Sequence, residues 1–121
     1  MPMFKILIVD DDEDLLKALS RLLQLRGFDI HGLSEPDKVF VIVESFKPDL
    51  IILDVALCEL DGRDICRKLK LNPETKVIKI VLYSANHDLE YDYNQYGADA
   101  FVKKPFQSAL LYETIENHLK E

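Results

Sequence analysis

The chain has few cysteines, a shortage of basic residues and no long apolar run. Cys58 and Cys66 are its two cysteines. Their spacing suits neither a zinc site nor a disulfide framework, so they read as free thiols in a reducing compartment. Lys and Arg number 15 against 22 Asp and Glu, a net charge of -7. That balance argues against direct binding of a nucleic-acid backbone, which relies on clustered cations. No apolar run approaches the ~20 residues needed to cross a bilayer. The opening Met1-Pro2-Met3-Phe4-Lys5 lacks a signal-peptide layout. The expectation is a cytoplasmic protein with no membrane partner. No repeat, low-complexity tract or linker is present, and 121 residues with 48% hydrophobic content suffice for one domain over residues 1–121 with a real core.

Four short apolar runs each end in a residue able to handle a phosphoryl group. Ile6-Leu7-Ile8-Val9 leads into Asp10-Asp11-Asp12, and Leu50-Ile51-Ile52-Leu53 into Asp54. Ile80-Val81-Leu82-Tyr83 leads into Ser84, and Ala100-Phe101-Val102-Lys103 into Lys104-Pro105. If the runs are parallel strands, one sheet edge collects a carboxylate cluster, a hydroxyl and a lysine.

Helical patterns separate the runs. Leu15, Leu16, Leu19, Leu22 and Leu23 share one helical face, with acidic residues in the first turn, Arg26 in the last and Gly27 placed to stop it. A short strand over 28–31 follows, then a helix opening at Ser34-Glu35-Pro36-Asp37 and halted by Pro48. Strands are predicted over 49–53, 77–83 and 100–103. Between them lie a helix with Ile65 and Leu69 closed by Asn72-Pro73, and a weaker helical stretch over 87–96 ending at Gly97. Leu111, Ile115 and Leu119 mark a last helix. Residues 49–53 show no polar alternation, as expected of a strand covered on both faces. Alternating strands and helices imply an α/β fold, a doubly wound parallel sheet with right-handed crossovers. Ligands in such sheets bind beyond the carboxyl ends of the strands, where the strand order reverses. Asp10, Asp11 and Asp54 lie there.

Clustered carboxylates repel. Two unit charges ~5 Å apart cost about 3 kcal/mol at an effective dielectric near 20, and three such pairs roughly 10 kcal/mol. Something cationic should occupy the site. Lys104 offers one charge, and Mg²⁺ suits oxygen ligands while keeping waters for a phosphorylated ligand. A metal-bound carboxylate could then attack phosphorus.

On these residues the chain resembles the receiver domains of two-component response regulators over essentially its whole length. The matching segments are residues 6–11, residues 49–54, Ser84-Ala85, Gly97-Ala98-Asp99 and Lys104-Pro105-Phe106. The resemblance implies a flavodoxin-like, five-stranded parallel sheet in the order 2-1-3-4-5 and a signalling domain that catalyses only its own phosphorylation and dephosphorylation. It makes Asp54 the phosphoryl acceptor from a sensor histidine kinase or phosphotransfer protein. It makes Asp11 and Asp54 direct Mg²⁺ ligands, Asp10 a ligand mainly through water, and the main-chain carbonyl of Ala56 a further ligand. Ser84 and Lys104 would bind phosphoryl oxygens, the Lys104-Pro105 bond would be cis, and Ser84 with Phe101 would form the switch. Apart from the resemblance, Ser84 and Lys104 lead directly into the segments that follow them, so a downstream effector or a second copy is expected to dock through residues 87–119, with Tyr91 or Tyr93 as the anchor.

Three departures from the family pattern stand out. Cys58 replaces the proline usual four residues after the acceptor. The stretch between Ser84 and Gly97 is about two residues short, so its helix is expected to be short or irregular. Asn86 and Ala56 occupy positions that tune phosphoryl lifetime in the family.

Plainer roles compete for several residues. Asp12 and Asp14 read as helix N-terminal residues, Lys103 as a solvated lysine and Cys58 as a loop residue. His31, His87 and His118 match no relay motif, Phe101 could be ordinary packing, and Tyr91, Tyr93 and Tyr96 either pack a poor helix or face a partner. A haloacid-dehalogenase-type phosphatase would need an Asp-x-Asp on the first strand. Asp10 and Asp12 satisfy that spacing, but 121 residues fall short of the usual core and cap of that class. A receiver-like scaffold that is never phosphorylated would not need the intact set Asp10, Asp11, Asp54, Ser84 and Lys104.

Overall fold

A computed structural model describes residues 3–57, 59–85 and 92–119. Strands β1 (Lys5–Val9), β2 (Asp29–Leu33), β3 (Leu50–Asp54), β6 (Lys79–Ser84) and β7 (Ala100–Lys103) form one sheet. Two-residue strands β4 (Ala56–Leu57) and β5 (Leu60–Asp61) make a small antiparallel hairpin in the loop after β3. The large sheet is parallel throughout, in the order β2-β1-β3-β6-β7. Without the loop hairpin this is the expected order 2-1-3-4-5.

The two faces of the sheet are covered separately. Leu7, Val9, Ile51, Leu53, Ile80 and Leu82 pack against Val39 and Val43 of α2 (Val39–Phe46) and Ile65 and Leu69 of α3 (Gly62–Leu71). Their strand neighbours Ile6, Ile8, Leu50, Ile52, Val81 and Tyr83 pack against α1 (Glu13–Leu25) and α4 (Ser108–Leu119). Side chains alternate across a strand, so two buried faces require a continuous apolar run. β3 is buried at every residue.

Local chemistry explains the boundaries, including those the sequence placed differently. Asp12 caps α1, accepting from the Leu15 N–H at 3.2 Å, and Gly27 takes the left-handed conformation (φ 93°) just after it. Arg26 is the C-terminal cap residue rather than part of the last turn. β2 runs to Leu33, beyond the expected 28–31, because it stays paired with β1 up to Val9. The segment opening at Pro36 begins as a 3₁₀ turn (Pro36–Lys38) and ends at Lys47, a left-handed non-glycine residue (φ 54°). Of the weak 87–96 helix, Tyr93–Tyr96 form a 3₁₀ turn closed by Gly97 at φ 85°. His87 and Tyr91 lie outside the described residues, as do Cys58 and Asn86. Among the described residues, no helix is long and apolar enough to cross a membrane.

The amino end of the sheet is fastened by Asp99. Its Oδ2 accepts from the Ile80 N–H at 2.9 Å and from Lys70 Nζ at 2.8 Å, and Lys70 also donates to the Ile78 carbonyl at 2.7 Å. Asp99→Ala takes the carboxylate partner from a half-buried ammonium, which keeps the Ile78 carbonyl, and leaves a strand N–H without its acceptor. Urea unfolding should show a loss of about 1.5–3 kcal/mol, the range for hydrogen bonds to charged groups. A loss within the ordinary surface range of ±0.5 kcal/mol would mean that the contact contributes little.

Candidate functional site

The carboxyl ends of β1, β3, β6 and β7 meet as the sequence suggests. Asp10 and Lys104 each follow a strand and extend its ladder by one residue: the Asp10 N–H donates to the Leu33 carbonyl at 3.1 Å, and the Lys104 N–H to the Ser84 carbonyl at 2.9 Å. Asp54 closes β3 and pairs in register with Tyr83. Asp10, Asp54 and Ser84 are buried, whereas Asp11 is exposed.

Lys104 is shared between two buried acids. Its Nζ lies 3.1 Å from Asp54 Oδ2 and 3.2 Å from Asp10 Oδ2. The Lys104–Pro105 bond is cis. Asp54 Oδ1 accepts from the Ala56 N–H at 3.2 Å, and Asp10 Oδ1 from the Asp12 N–H at 2.9 Å. Oxygens of Asp10, Asp11 and Asp54 lie within 4.8 Å of one another. An all-oxygen donor set with one member open to solvent fits Mg²⁺, which retains waters and takes one or two carboxylates.

Burial pushes the Asp54 carboxyl up from 3.8 to about 6. Lys104 works against that rise and the Asp10 charge adds to it. Desolvation of the buried carboxylate is the main cause, and the neighbouring acid adds to it.

Glycine is required at position 62. A Cβ there would lie 2.0 Å from the Asp54 carbonyl oxygen, so only glycine lets the start of α3 lie against the end of β3. The Gly62 N–H donates to the Val55 carbonyl at 2.9 Å. Asp61, capping α3, accepts from Arg63 through the main chain at 2.9 Å and the guanidinium at 2.6 Å, which holds its carboxyl below the usual range.

Sequence reasoning gave Tyr83 only a place in an apolar run. Its ring is fully buried, its hydroxyl donates to Asp10 Oδ2, and Lys104 Nζ sits 4.4 Å from the ring centroid. Burial first, then the Asp10 carboxylate, pushes the phenol well above its ordinary value, so it is a donor at neutral pH. A buried phenol needs a polar partner, and that rule was the available signal.

The remaining expectations divide. Phe101 is half-buried and packs against the α2–α3 side of the core. Tyr93 and Tyr96 pack there too, which corrects the picture of Tyr93 as an exposed anchor, and Tyr91 lies outside the described residues. The Arg63 and Arg67 guanidiniums lie 5.5 and 4.9 Å from the Tyr96 ring centroid. Cys66 is buried and its thiol is pushed up to about 12, mainly by burial, so it is unreactive. Asp14 is exposed in the first turn of α1.

Known proteins agree with this geometry. The response regulator receiver domain model matches residues 6–116, and the chain belongs to that family. The sensory transduction protein BceR of Halalkalibacterium halodurans is 34% identical over 119 residues, covering 98% of this chain and 51% of its own length. The chain therefore spans about half of that relative. The solved signal receiver domain of a DNA-binding response regulator (merR) from Colwellia psychrerythraea 34H superposes with TM-score 0.89 at 26% identity, covering 98% of this chain and 99% of its own. Response regulator protein TrrA from Thermotoga maritima, solved in complex with Mg²⁺–BeF, has TM-score 0.87 at 27% identity, covering 97% of this chain and 100% of its own.

The raised Asp54 carboxyl makes a signed prediction. A carboxyl higher in the folded than in the unfolded state contributes stability while protonated and loses it as pH climbs from 3.8 through about 6. The loss amounts to roughly 3 kcal/mol at most. Without divalent metal, Asp54→Asn should therefore be the more stable protein at pH 7, by about 1–3 kcal/mol. Its advantage should shrink as pH falls toward 4. Urea melts at both ends of this range, with chelator present, check sign and trend.

Proposed function

We propose that the chain is a phosphorylation-driven switch that accepts a phosphoryl group on Asp54 from the phosphohistidine of a sensor kinase or phosphotransfer protein. The observation that carries this reading is Lys104 held between two buried carboxylates, with Asp11 beside them at the open edge. Asp11, Asp54 and the Ala56 carbonyl would hold Mg²⁺ directly, and Asp10 through water. When bound, Mg²⁺ would neutralise charge on the transferring oxygens. An Asp54 carboxylate oxygen attacks phosphorus, the phosphorus–nitrogen bond breaks, and the imidazole leaves with the electron pair and takes up a proton. Lys104 and Ser84 bind phosphoryl oxygens. The Mg²⁺–BeF complex of TrrA supports the pairing of metal and phosphoryl mimic in a similar fold. Intact-mass spectrometry after incubation with acetyl phosphate and Mg²⁺ should show one added phosphoryl group, absent from Asp54→Asn. Equal labelling of that variant would place the acceptor elsewhere.

A phosphoryl group on Asp54 carries roughly 1.5 to 2 negative charges beside Ser84 and Lys104, in place of the single charge of the carboxylate, and compensation must begin there. Ser84 and Lys103 are register partners across β6 and β7, as are Leu82 and Phe101. A shift of Ser84 toward the phosphoryl group would be felt at Phe101, a half-buried aromatic able to repack between two states. The effector or a second copy then docks on the side formed by residues 92–96, β7 and α4. Beryllofluoride-induced amide shifts should concentrate there. Shifts confined to α1 and α2 would put the output elsewhere, even with the phosphorylation chemistry intact.

A further inference from the structure

Tyr83 touches both charged partners of the acceptor without being one of the groups placed on the phosphoryl group or metal. Its hydroxyl donates to Asp10 Oδ2, the oxygen that also accepts from Lys104 at 3.2 Å. Its ring lies under the same ammonium, 4.4 Å from the centroid. The other Asp10 oxygen accepts from the Asp12 N–H at 2.9 Å. Both oxygens of this buried carboxylate are therefore engaged by donors of the protein itself. We propose that Tyr83 is a positioning residue that favours the metal-free state and so lowers the Mg²⁺ affinity of the site, an inference that rests on reading the site as a Mg²⁺ centre.

The effect comes from unequal hydrogen-bond strength in the two states. A donor aimed at a carboxylate is strongest when that carboxylate is ionised and otherwise uncompensated. A divalent cation beside Asp10 draws on the same negative charge, so the phenol bond weakens when the ion arrives. The hydroxyl thus stabilises the empty site more than the filled one. Removing it should cost the metal-free protein more than the metal-bound one, and the difference appears as tighter binding. Tyr83 is fully buried. A phenylalanine there keeps the packing against the α1–α4 side and the surface under Lys104, and loses only the donor.

Calorimetric titration with MgCl₂ compares the wild type, Tyr83→Phe, Tyr83→Leu and Asp11→Asn. Tyr83→Phe should bind Mg²⁺ about three- to ten-fold tighter, the size of one charge-assisted hydrogen bond weakened but not lost. In chelator it should unfold at lower urea than the wild type, and saturating Mg²⁺ should narrow that gap. Tyr83→Leu shares the lost hydroxyl and should bind more tightly than the wild type as well. In an Asp10→Asn background the Phe substitution should no longer change affinity, because the charged acceptor is gone. Unchanged or weaker binding by both Tyr83 variants overturns the inference while leaving the Mg²⁺ reading intact. Wild-type affinity in Asp11→Asn overturns the Mg²⁺ reading, and the inference falls with it.

Discussion

One ammonium group holds the site together. Lys104 reaches Asp54 and Asp10 at nearly equal distances, 3.1 and 3.2 Å, and both carboxylates are buried. Two carboxylates this close would repel by several kcal/mol at the effective dielectric of a partly buried site. A single lysine cannot neutralise two acids, and burial, with the Asp10 charge adding to it, raises the Asp54 carboxyl to about 6. The N–H groups of Ala56 and Asp12 and the Tyr83 hydroxyl supply part of the remainder by hydrogen bonding. A removable cation is the natural complement of a site left partly uncompensated.

Strand alternation sorts the candidate site residues into two groups. Asp10, Asp54, Tyr83 and Lys104 keep the phase of Ile8, Ile52, Val81 and Val102, whose side chains face α1 and α4. Ser84 and Phe101 keep the opposite phase, that of Ile80 and Leu82, which face α2 and α3. Asp10, Asp54, Tyr83 and Lys104 therefore share one phase, and the proposed switch pair the other. The division follows from the two-residue period of a strand. A one-residue register slip in β6 would exchange Tyr83 and Ser84 between these roles.

Fold and site were unequally legible in the sequence. The parallel sheet followed from four unbroken apolar runs with helical patterns between them, and the strand that carries Asp54 appears within one residue of its expected bounds. Asp10, Asp54 and Lys104 were visible because ionisable residues ending apolar strands have few other places to be. Tyr83 was hidden by its own hydrophobicity, since a phenol inside an apolar run reads as core until its hydroxyl must be satisfied. Gly62 was hidden for another reason. Its role is a close approach to the Asp54 carbonyl, and Asp61-Gly62 alone reads as an ordinary turn. The helix over 87–96 carried the weakest pattern, and the part described is a 3₁₀ turn whose tyrosines turn inward.

The shared lysine also constrains how a signal could leave the site. A phosphoryl group on Asp54 would offer Lys104 a stronger partner than the carboxylate it replaces, so the ammonium should be drawn from Asp10 toward the new charge. A shift of the Lys104 main chain would be shared, because its N–H is bonded to the Ser84 carbonyl at 2.9 Å and the adjoining Lys103 is paired with Ser84. Any displacement is passed to the carboxyl ends of β6 and β7 together. On that pair of strands Phe101 is the half-buried aromatic, matched in register to Leu82. β6 lies inside the sheet and β7 at its edge, so β7 can yield with the loss of fewer neighbours. Edge position, shared lysine and half-buried aromatic together favour the β7 side as the place where a charge change at Asp54 becomes a change of surface.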